Sequence, residues 1–237
     1  MDPKYLHPAL IIALVLATGC AHPLPAVNST HAPPDGVVML PEPRFESSVP
    51  VEEALRERRS VRVYAGMPLT LADIGQVLWA AQGVTDKRGY RTTPSAGALY
   101  PLEVYLVAGD VVGLSVGVYH YHPGEHLLIR IAGGDQRAAL QAAAVNQASV
   151  GDAPATIAIC AVPDRTCAKY GERGMRYVFM EAGHAAENIY LQAVASNIGT
   201  VAIGAFDDDR IGEILMLPEN TTPLYLMPMG KQVQEKR

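Results

Sequence analysis

The residues best suited to chemistry fall in two short segments. The first runs Arg58-Arg59-Ser60-Val61-Arg62 and offers three guanidinium groups and a hydroxyl. Guanidinium forks suit the bidentate binding of a dianionic phosphate. The second segment, residues 93–103, contains four small residues in a row, Ser95, Ala96, Gly97 and Ala98. With little side chain beyond Cβ, this backbone could lie close to a flat ring system and present N–H groups to it.

Each segment also has a simpler interpretation. An arginine run at a helix end is most often a solvated surface or a favourable partner for the helix dipole. A Ser-Ala-Gly-Ala loop is equally consistent with a tight turn that leads into a strand. The presence of both segments in one chain, in this order, favours a site for a flat, phosphorylated cofactor.

These two segments resemble motifs of the nitroreductase family of FMN enzymes. Within that family they are similar to the SagB-type (thiazoline oxidase-like) dehydrogenases, in which Arg-Arg-Ser-x-Arg is followed by Pro-Ser-Ala-Gly-Ala-Leu-Tyr-Pro. The resemblance covers about residues 49–231. It implies an α+β fold with a mixed sheet flanked by helices, and a homodimer in which two subunits share two FMN sites.

The same resemblance implies an FMN-dependent oxidoreductase that works by ping-pong hydride transfer through flavin N5. NAD(P)H is a candidate electron donor, because in this family it stacks on the flavin without a Rossmann domain. The second substrate is a small molecule, a peptide-borne group or oxygen. No Gly-x-Gly-x-x-Gly fingerprint is present in the sequence, which decides nothing for this family.

Cofactor contacts carry over from the family residue by residue. The FMN phosphate and ribityl chain are assigned to Arg58, Arg59, Ser60 and Arg62. The edge of the isoalloxazine ring is assigned to Pro94, Ser95, Ala96 and Gly97. The other side of the ring, with a backbone N–H near N5, is assigned to Ala202, Ile203, Gly204 and Ala205. Many nitroreductases have an acidic residue where Gly204 stands and a polar amide where Ala98 stands, so the chain departs here from typical nitroaromatic reductases.

Lys169 and Tyr170 are the predicted catalytic residues, since azole-forming members of the family have a Lys-Tyr pair at about this place. Oxidising a thiazoline-like ring sends a hydride to the flavin while a neighbouring carbon loses a proton. A base beside the flavin would lower that barrier. The alternative is that both are polar residues of a surface loop.

Composition excludes some other classes of function. The 237 residues carry a formal net charge of -5, which argues against a nucleic-acid partner, and the Cys and His residues lack metal-ligand spacing. Cys160 lies in an apolar run and is expected in a buried strand, whereas Cys167 is expected in the following loop. Their spacing leaves a disulfide between them open.

The N-terminus predicts export. Lys4 precedes an apolar run, residues 9–17, that is too short to span a bilayer and is followed by Thr18, Gly19 and Cys20. This pattern resembles a bacterial lipoprotein signal, with a signal peptide at residues 1–19 and a diacylated Cys20 that anchors the protein to a membrane facing the periplasm or cell exterior. A plain cleaved signal and a misassigned start are the alternatives. Residues 20–48 are proline-rich and predict a tether, followed by the FMN-binding domain at residues 49–237.

Export also supports a second function class. A chain threaded unfolded across a membrane must find FMN outside, and azole synthases normally act in the cytoplasm. The alternative is therefore an exported flavin-binding or cofactor-free lipoprotein that uses the fold for interaction.

The elements that must position these residues follow from periodicity and turn signals. Helices are predicted at residues 51–58, 70–82, 136–148 and 176–197, and after 207–209. Strands are predicted at residues 104–108, 117–121, 126–131, 155–162, 199–206 and 222–229. The helix at 176–197 is apolar over much of its circumference, which predicts a place in a core or an interface.

Overall fold

The computed structural model describes residues 36–233. Its helices are α1 (Val51–Glu57), α2 (Leu71–Gln82), α3 (Arg137–Ala143), α4 (Ala148–Gly151), α5 (Asp164–Tyr170), α6 (Arg173–Ala195) and α7 (Asp208–Leu215). Its strands are β1 (Val37–Met39), β2 (Leu69–Thr70), β3 (Leu102–Ala108), β4 (Val111–Val112), β5 (Gly117–His122), β6 (Leu127–Gly133), β7 (Ala155–Ala161), β8 (Ile198–Thr200) and β9 (Thr222–Lys231). The signal peptide, Cys20 and the start of the predicted tether lie outside the described residues. Within residues 36–233 no helix is both long and apolar enough to cross a membrane.

Seven strands form one sheet in the order β1-β6-β5-β3-β7-β9-β8. Its ladders are antiparallel, as in the pairing of Leu102 with Ala161 between β3 and β7. Parallel pairing is added at the β8 edge, where Ser60 bridges to Thr200. The predicted α+β fold with a mixed sheet flanked by helices is confirmed.

Helices cover both faces of this sheet. On one face α2 and α6 pack against alternate residues of β3, including Val104 and Leu106. On the other face α3, α4 and α7 pack against Tyr105 and Val107. Strand β7 is buried along its whole length, which explains why its sequence is a continuous apolar run instead of an alternating one.

Local signals located several elements correctly. Helix α2 begins with a capping box in which Thr70 Oγ1 accepts the Asp73 N–H at 3.1 Å and Asp73 Oδ2 accepts the Thr70 N–H at 2.9 Å. It ends at Gly83, as predicted. Strands β5 and β6 form the expected hairpin around residues 123–124, with His122 opposite Leu127.

Three local predictions were wrong. The helix expected at residues 136–148 is split into α3 and α4, because Val145 and Asn146 adopt left-handed backbone with φ of 57° and 59°. The strand expected at 199–206 ends at Thr200, after which only Ile203 bridges back, to Leu226. Cys167 lies in α5 and not in a loop. Both Cys160 and Cys167 are free thiols.

The domain begins earlier than the predicted boundary at residue 49. Strand β1, inside the predicted tether, pairs with β6, and Leu40 is buried beside it. Gln76 of α2 then holds the backbone of Arg44 through two hydrogen bonds of 2.8 and 3.1 Å. Composition alone predicted a tether here, because the segment is held by β6 and Gln76, which are distant in the sequence.

Candidate active site

Helix α6 organises the predicted site, because both motifs attach to it. Its core-facing side carries Glu181 and Tyr190 among small apolar residues, with the half-buried Asn188 beside them. Residues seven positions apart lie two turns apart on one face, so Glu181 and Asn188 face the same side. Asn188 contacts the start of the small-residue loop at Thr92 and Thr93, and Tyr190 contacts the arginine segment.

Tyr190 joins the arginine segment to residues 202–205. Its hydroxyl lies 3.0 Å from Ser60 Oγ and accepts the Ala202 N–H at 2.8 Å. The Arg58 guanidinium lies over its ring, 5.0 Å from the centroid. The structure therefore brings together two predicted parts of the cofactor site that are more than 140 residues apart in the chain. Sequence analysis missed Tyr190, because an aromatic residue on a buried helix face carries no functional signal.

The three arginines have different environments. Arg59 donates from Nη1 to the carbonyl oxygens of Arg56 and Arg58, at 2.9 and 2.8 Å, and so satisfies the end of α1. Arg58 is half-buried, with Nε 4.0 Å from Glu187 Oε1, and Arg62 is exposed. Arg58 and Arg62 therefore remain the stronger candidates for a phosphate, and Arg59 matches the simpler interpretation of an arginine at a helix end.

The small-residue loop adopts an unusual backbone. Gly97, Ala98 and Tyr100 are left-handed, with φ of 65°, 53° and 47°. Such backbone is unfavourable for residues with a Cβ and is often found at functional sites. The Tyr100 N–H donates to Ser95 Oγ at 2.9 Å, and this hydrogen bond closes the loop.

The predicted catalytic pair lies directly against this loop. A Cβ placed on Gly97 would lie 2.8 Å from Tyr170 Oη and 2.9 Å from Lys169 Nζ. Both side chains belong to the end of α5, and Lys169 Nζ is 5.4 Å from the centre of the Tyr170 ring. The pair is helical and not part of the surface loop of the alternative interpretation, although Lys169 is exposed in the single chain.

An ion-pair cluster fixes α5 to the sheet. Arg165 pairs with Glu103 of β3 and donates to the Tyr100 carbonyl at 3.1 Å. Glu103 also contacts His120 Nε2 at 2.6 Å. Burial alone would raise the pKa of Glu103, but hydrogen bonds from His120 and Arg165 outweigh it and hold that pKa below its usual value. The cluster was not predicted, and it places Lys169 one helical turn beyond an anchored residue.

In the segment 202–205, two backbone amides are hydrogen-bonded within the fold and two are free to bind a ligand. The Ala202 N–H is taken by Tyr190, and the Ile203 N–H donates to the Leu226 carbonyl at 2.9 Å. Gly204 and Ala205 are exposed, and within the described part of the chain their amides make no hydrogen bond. A Cβ on Gly204 would approach only Tyr225, at 3.8 Å. The backbone N–H expected to face a ligand is therefore that of Gly204 or Ala205.

These residues fit FMN. Guanidinium groups and the Ser60 hydroxyl are joined through Tyr190 to the Ala202 amide, the open amides of Gly204 and Ala205 follow Ala202 directly in the chain, and the small-residue loop is exposed at Gly97 and Ala98. Such an arrangement can hold a phosphate by charge and a flat ring by close backbone approach. Fold and site together define a flavin-binding oxidoreductase.

Comparisons with known proteins agree with this class. A family model described as the nitroreductase family matches residues 55–231. A relative from Methanocaldococcus jannaschii that is named as a nitroreductase is 47% identical over 186 residues, which are 78% of this chain and 93% of the relative. A solved structure from Ralstonia eutropha, also described as a nitroreductase, superimposes with a TM-score of 0.75 at 28% identity, covering 92% of this chain and 97% of that chain. The chain belongs to the nitroreductase family, and it is an oxidoreductase of that family, for which FMN is the typical cofactor.

A more distant relative is the microcin B17-processing protein McbC of Escherichia coli. It is 26% identical over 152 residues, which are 62% of this chain and 56% of McbC. This identity is well below that to the relative from Methanocaldococcus jannaschii.

Proposed function

We propose that this protein is an FMN-dependent dehydrogenase of the SagB type that works in two half-reactions. The observation that carries the proposal is the contact of Lys169 and Tyr170 with Gly97, the residue of the small loop that needs no side chain. When bound, FMN would supply a hydride acceptor at N5. A second substrate or oxygen would then take the electrons from the reduced flavin.

The chain's own residues have separate tasks in this proposal. Arg58, Arg62 and Ser60 bind the phosphate and ribityl chain. Residues 94–97 support the ring edge, and the amides of Gly204 and Ala205 face its other side. Lys169 removes a proton from the substrate carbon next to the one that loses hydride, and Tyr170 orients that lysine or relays the proton. Lys169 is exposed in the single chain, whereas a lysine acts as a base more readily when it is buried. In this proposal the bound substrate or a partner subunit covers Lys169.

The proposed substrate is a small or peptide-borne ring of the thiazoline kind. Its support is the Lys-Tyr pair, the distant similarity to McbC and the absence of side-chain bulk at Gly204 and Ala98. NAD(P)H is the proposed alternative hydride donor to the same oxidised flavin, as for the family in general, and oxygen or a second acceptor takes the electrons from the reduced flavin in the other half-reaction.

The absorption spectrum of the purified protein tests the proposal directly. The purified full-length protein should bind FMN, show a flavin absorption spectrum and bleach anaerobically with NAD(P)H or dithionite. An anaerobic screen of candidate donors then identifies the substrate as the compound that bleaches the flavin. A protein that stays colourless after incubation with FMN would overturn the oxidoreductase proposal and favour an interaction role for an exported lipoprotein.

We also propose a homodimer through the outer face of α6. Phe179 and Met180 are 54% and 52% exposed there, on a helix whose other face is in the core. The double variant Phe179→Glu, Met180→Glu should still fold, because neither side chain belongs to the core. The added charges should prevent the dimer from forming, and FMN should then be bound more weakly. Val145→Glu is the control, at an apolar site on the opposite side of the sheet that is 68% exposed. Light scattering reports the mass, and a monomeric, flavin-loaded wild type would contradict the proposal.

The membrane anchor is a third proposal, resting on the apolar run that ends at Cys20. Mass spectrometry of the membrane fraction should find a mature chain that begins at a diacylated Cys20. Cys20→Ser should block processing or release the protein. An unmodified chain beginning at Met1 in the cytosol would remove the export proposal.

A further inference from the structure

We propose that Arg165 is a positioning residue for the proton transfer, because its guanidinium sets the place of the small-residue loop relative to Lys169 and Tyr170. The inference rests on the proposed function, which assigns the loop to the flavin and the proton to Lys169. No motif or resemblance gave Arg165 a role. Its role follows from two contacts that the guanidinium makes at the same time.

Arg165 joins α5 to the end of the loop. It lies one turn before Lys169 on α5, so the two side chains leave the helix on the same side. Arg165 Nη1 donates to the Tyr100 carbonyl at 3.1 Å, and Nη2 pairs with Glu103 Oε1. Because the guanidinium is planar and its donors keep a fixed geometry, the two contacts together fix Tyr100 against α5.

Glu103 is a firmly held partner for Arg165. Its second carboxylate oxygen, Oε2, lies 2.6 Å from His120 Nε2. The His120 ring in turn stacks on Tyr105, with ring centroids 4.6 Å apart. Both carboxylate oxygens are therefore bound, and Glu103 cannot turn away from Arg165 without losing its contact with His120.

The backbone that Arg165 holds has an unfavourable conformation. Tyr100 has a φ of 47°, which an L-residue keeps only where surrounding contacts impose it. Its N–H donates to Ser95 Oγ at 2.9 Å, and the Arg91 guanidinium lies over its ring, 4.5 Å from the centroid. Arg165 adds the contact at the Tyr100 carbonyl, and this contact comes from the helix that carries the proposed catalytic pair.

Helix α5 is fixed from another side by α6. A Cβ placed on Gly174 of α6 would lie 2.8 Å from Cys167 Cα and 2.9 Å from Cys167 Sγ, so the two helices are in close contact. Helix α5 therefore cannot follow the loop if the loop moves. Without Arg165, the loop and the flavin ring that it supports would shift relative to Lys169.

The test compares two hydride donors to the same flavin. Arg165→Met should slow flavin reduction by a carbon substrate about 10–10²-fold, because a misplacement of about 1 Å can cost about 10²-fold. Reduction by NAD(P)H needs no base at carbon, so its rate should stay within about threefold of wild type. Arg137→Met removes an ion pair of the same kind, with Asp135, and is the matched control that should leave both rates unchanged. Anaerobic stopped-flow absorbance measures the rates.

A double variant separates positioning from general damage to the fold. If Arg165 acts through Lys169, the variant Arg165→Met, Lys169→Ala should be no slower than Lys169→Ala alone, because the two residues act as one unit. If Arg165→Met does not fold, Arg165→Gln, whose shorter side chain cannot reach both Tyr100 and Glu103, carries the same test.

A second readout needs no flavin. Hydrogen exchange at the Ala98 and Tyr100 amides in the apo protein should be faster in Arg165→Met than in wild type, because the loop has lost a contact that holds it. Arg137→Met should leave this exchange rate unchanged.

Equal losses with both donors, a further loss in the double variant, or a wild-type rate with the carbon substrate in Arg165→Met would each overturn the proposal. A wild-type protein that binds no FMN, or a Lys169→Ala variant that keeps the wild-type rate, would instead overturn the proposed function. The exchange experiment would then still decide whether Arg165 holds the loop.

Discussion

Lys169→Ala should slow flavin reduction by a carbon substrate about 10²–10⁴-fold and leave the FMN spectrum unchanged, which is the loss expected for a general base. Lys169 Nζ lies against the loop assigned to the ring edge but belongs to α5, outside the segments assigned to the cofactor. Tyr170→Phe removes the phenol from the same contact and should show a smaller loss of the same kind. Stopped-flow absorbance under anaerobic conditions measures the reduction.

The most informative control is a variant that keeps the positive charge at residue 169. Lys169→Arg retains a cation but cannot give up its proton near neutral pH, so a base role predicts that it is as slow as Lys169→Ala. A role of charge alone predicts that arginine restores most of the rate. Reduction by NAD(P)H requires no proton abstraction from carbon and should change little in all three variants. Equal losses with both donors would show that the pair only maintains the loop.

The sequence was most informative where structure depends on neighbours along the chain. The capping box of Thr70 and Asp73, the turn at residues 123–124 and the apolar run of β7 each carry their own signal. The resemblance added the distant pairing of the arginine segment with residues 202–205. That pairing has no local signal, because it is made through a hydroxyl on α6.

The parts that could not be predicted depend on tertiary contacts. The segment that contains β1 and Arg44 looks like a linker by composition, yet it binds the sheet and Gln76. Tyr190 carries no sequence signal of its own, because its hydroxyl meets Ser60 and Ala202 only in the folded chain. Glu181 is an acidic residue on the buried side of α6, a position that calls for a polar partner that sequence alone does not identify. The position of Lys169 in a helix depends on the anchoring of Arg165 to Glu103, which only the folded chain reveals.

The second large effect is a loss of FMN affinity when arginines of the segment 58–62 are replaced. Arg58→Ala and Arg62→Ala should each cost roughly 1.5–3 kcal/mol of FMN binding as lost charge-assisted contacts. The double variant should therefore bind FMN about 10²–10⁴-fold more weakly, since 1.4 kcal/mol corresponds to tenfold in affinity. Arg59→Ala is the matched control within the same motif, because its guanidinium is already bound to the carbonyls of Arg56 and Arg58. Its FMN affinity should stay within about threefold of wild type, a change too small for a lost phosphate contact.

Riboflavin separates a phosphate contact from general damage to the fold. It has the same ring and ribityl chain without the phosphate, so wild type should prefer FMN strongly and the double variant should bind both ligands with similar, weak affinity. If Arg58→Ala and Arg62→Ala reduce the affinity for riboflavin as much as that for FMN, the arginines support the site without touching the phosphate. Arg58 would then act chiefly through its contact with the Tyr190 ring, which is the hydrogen-bonded link between Ser60 and Ala202.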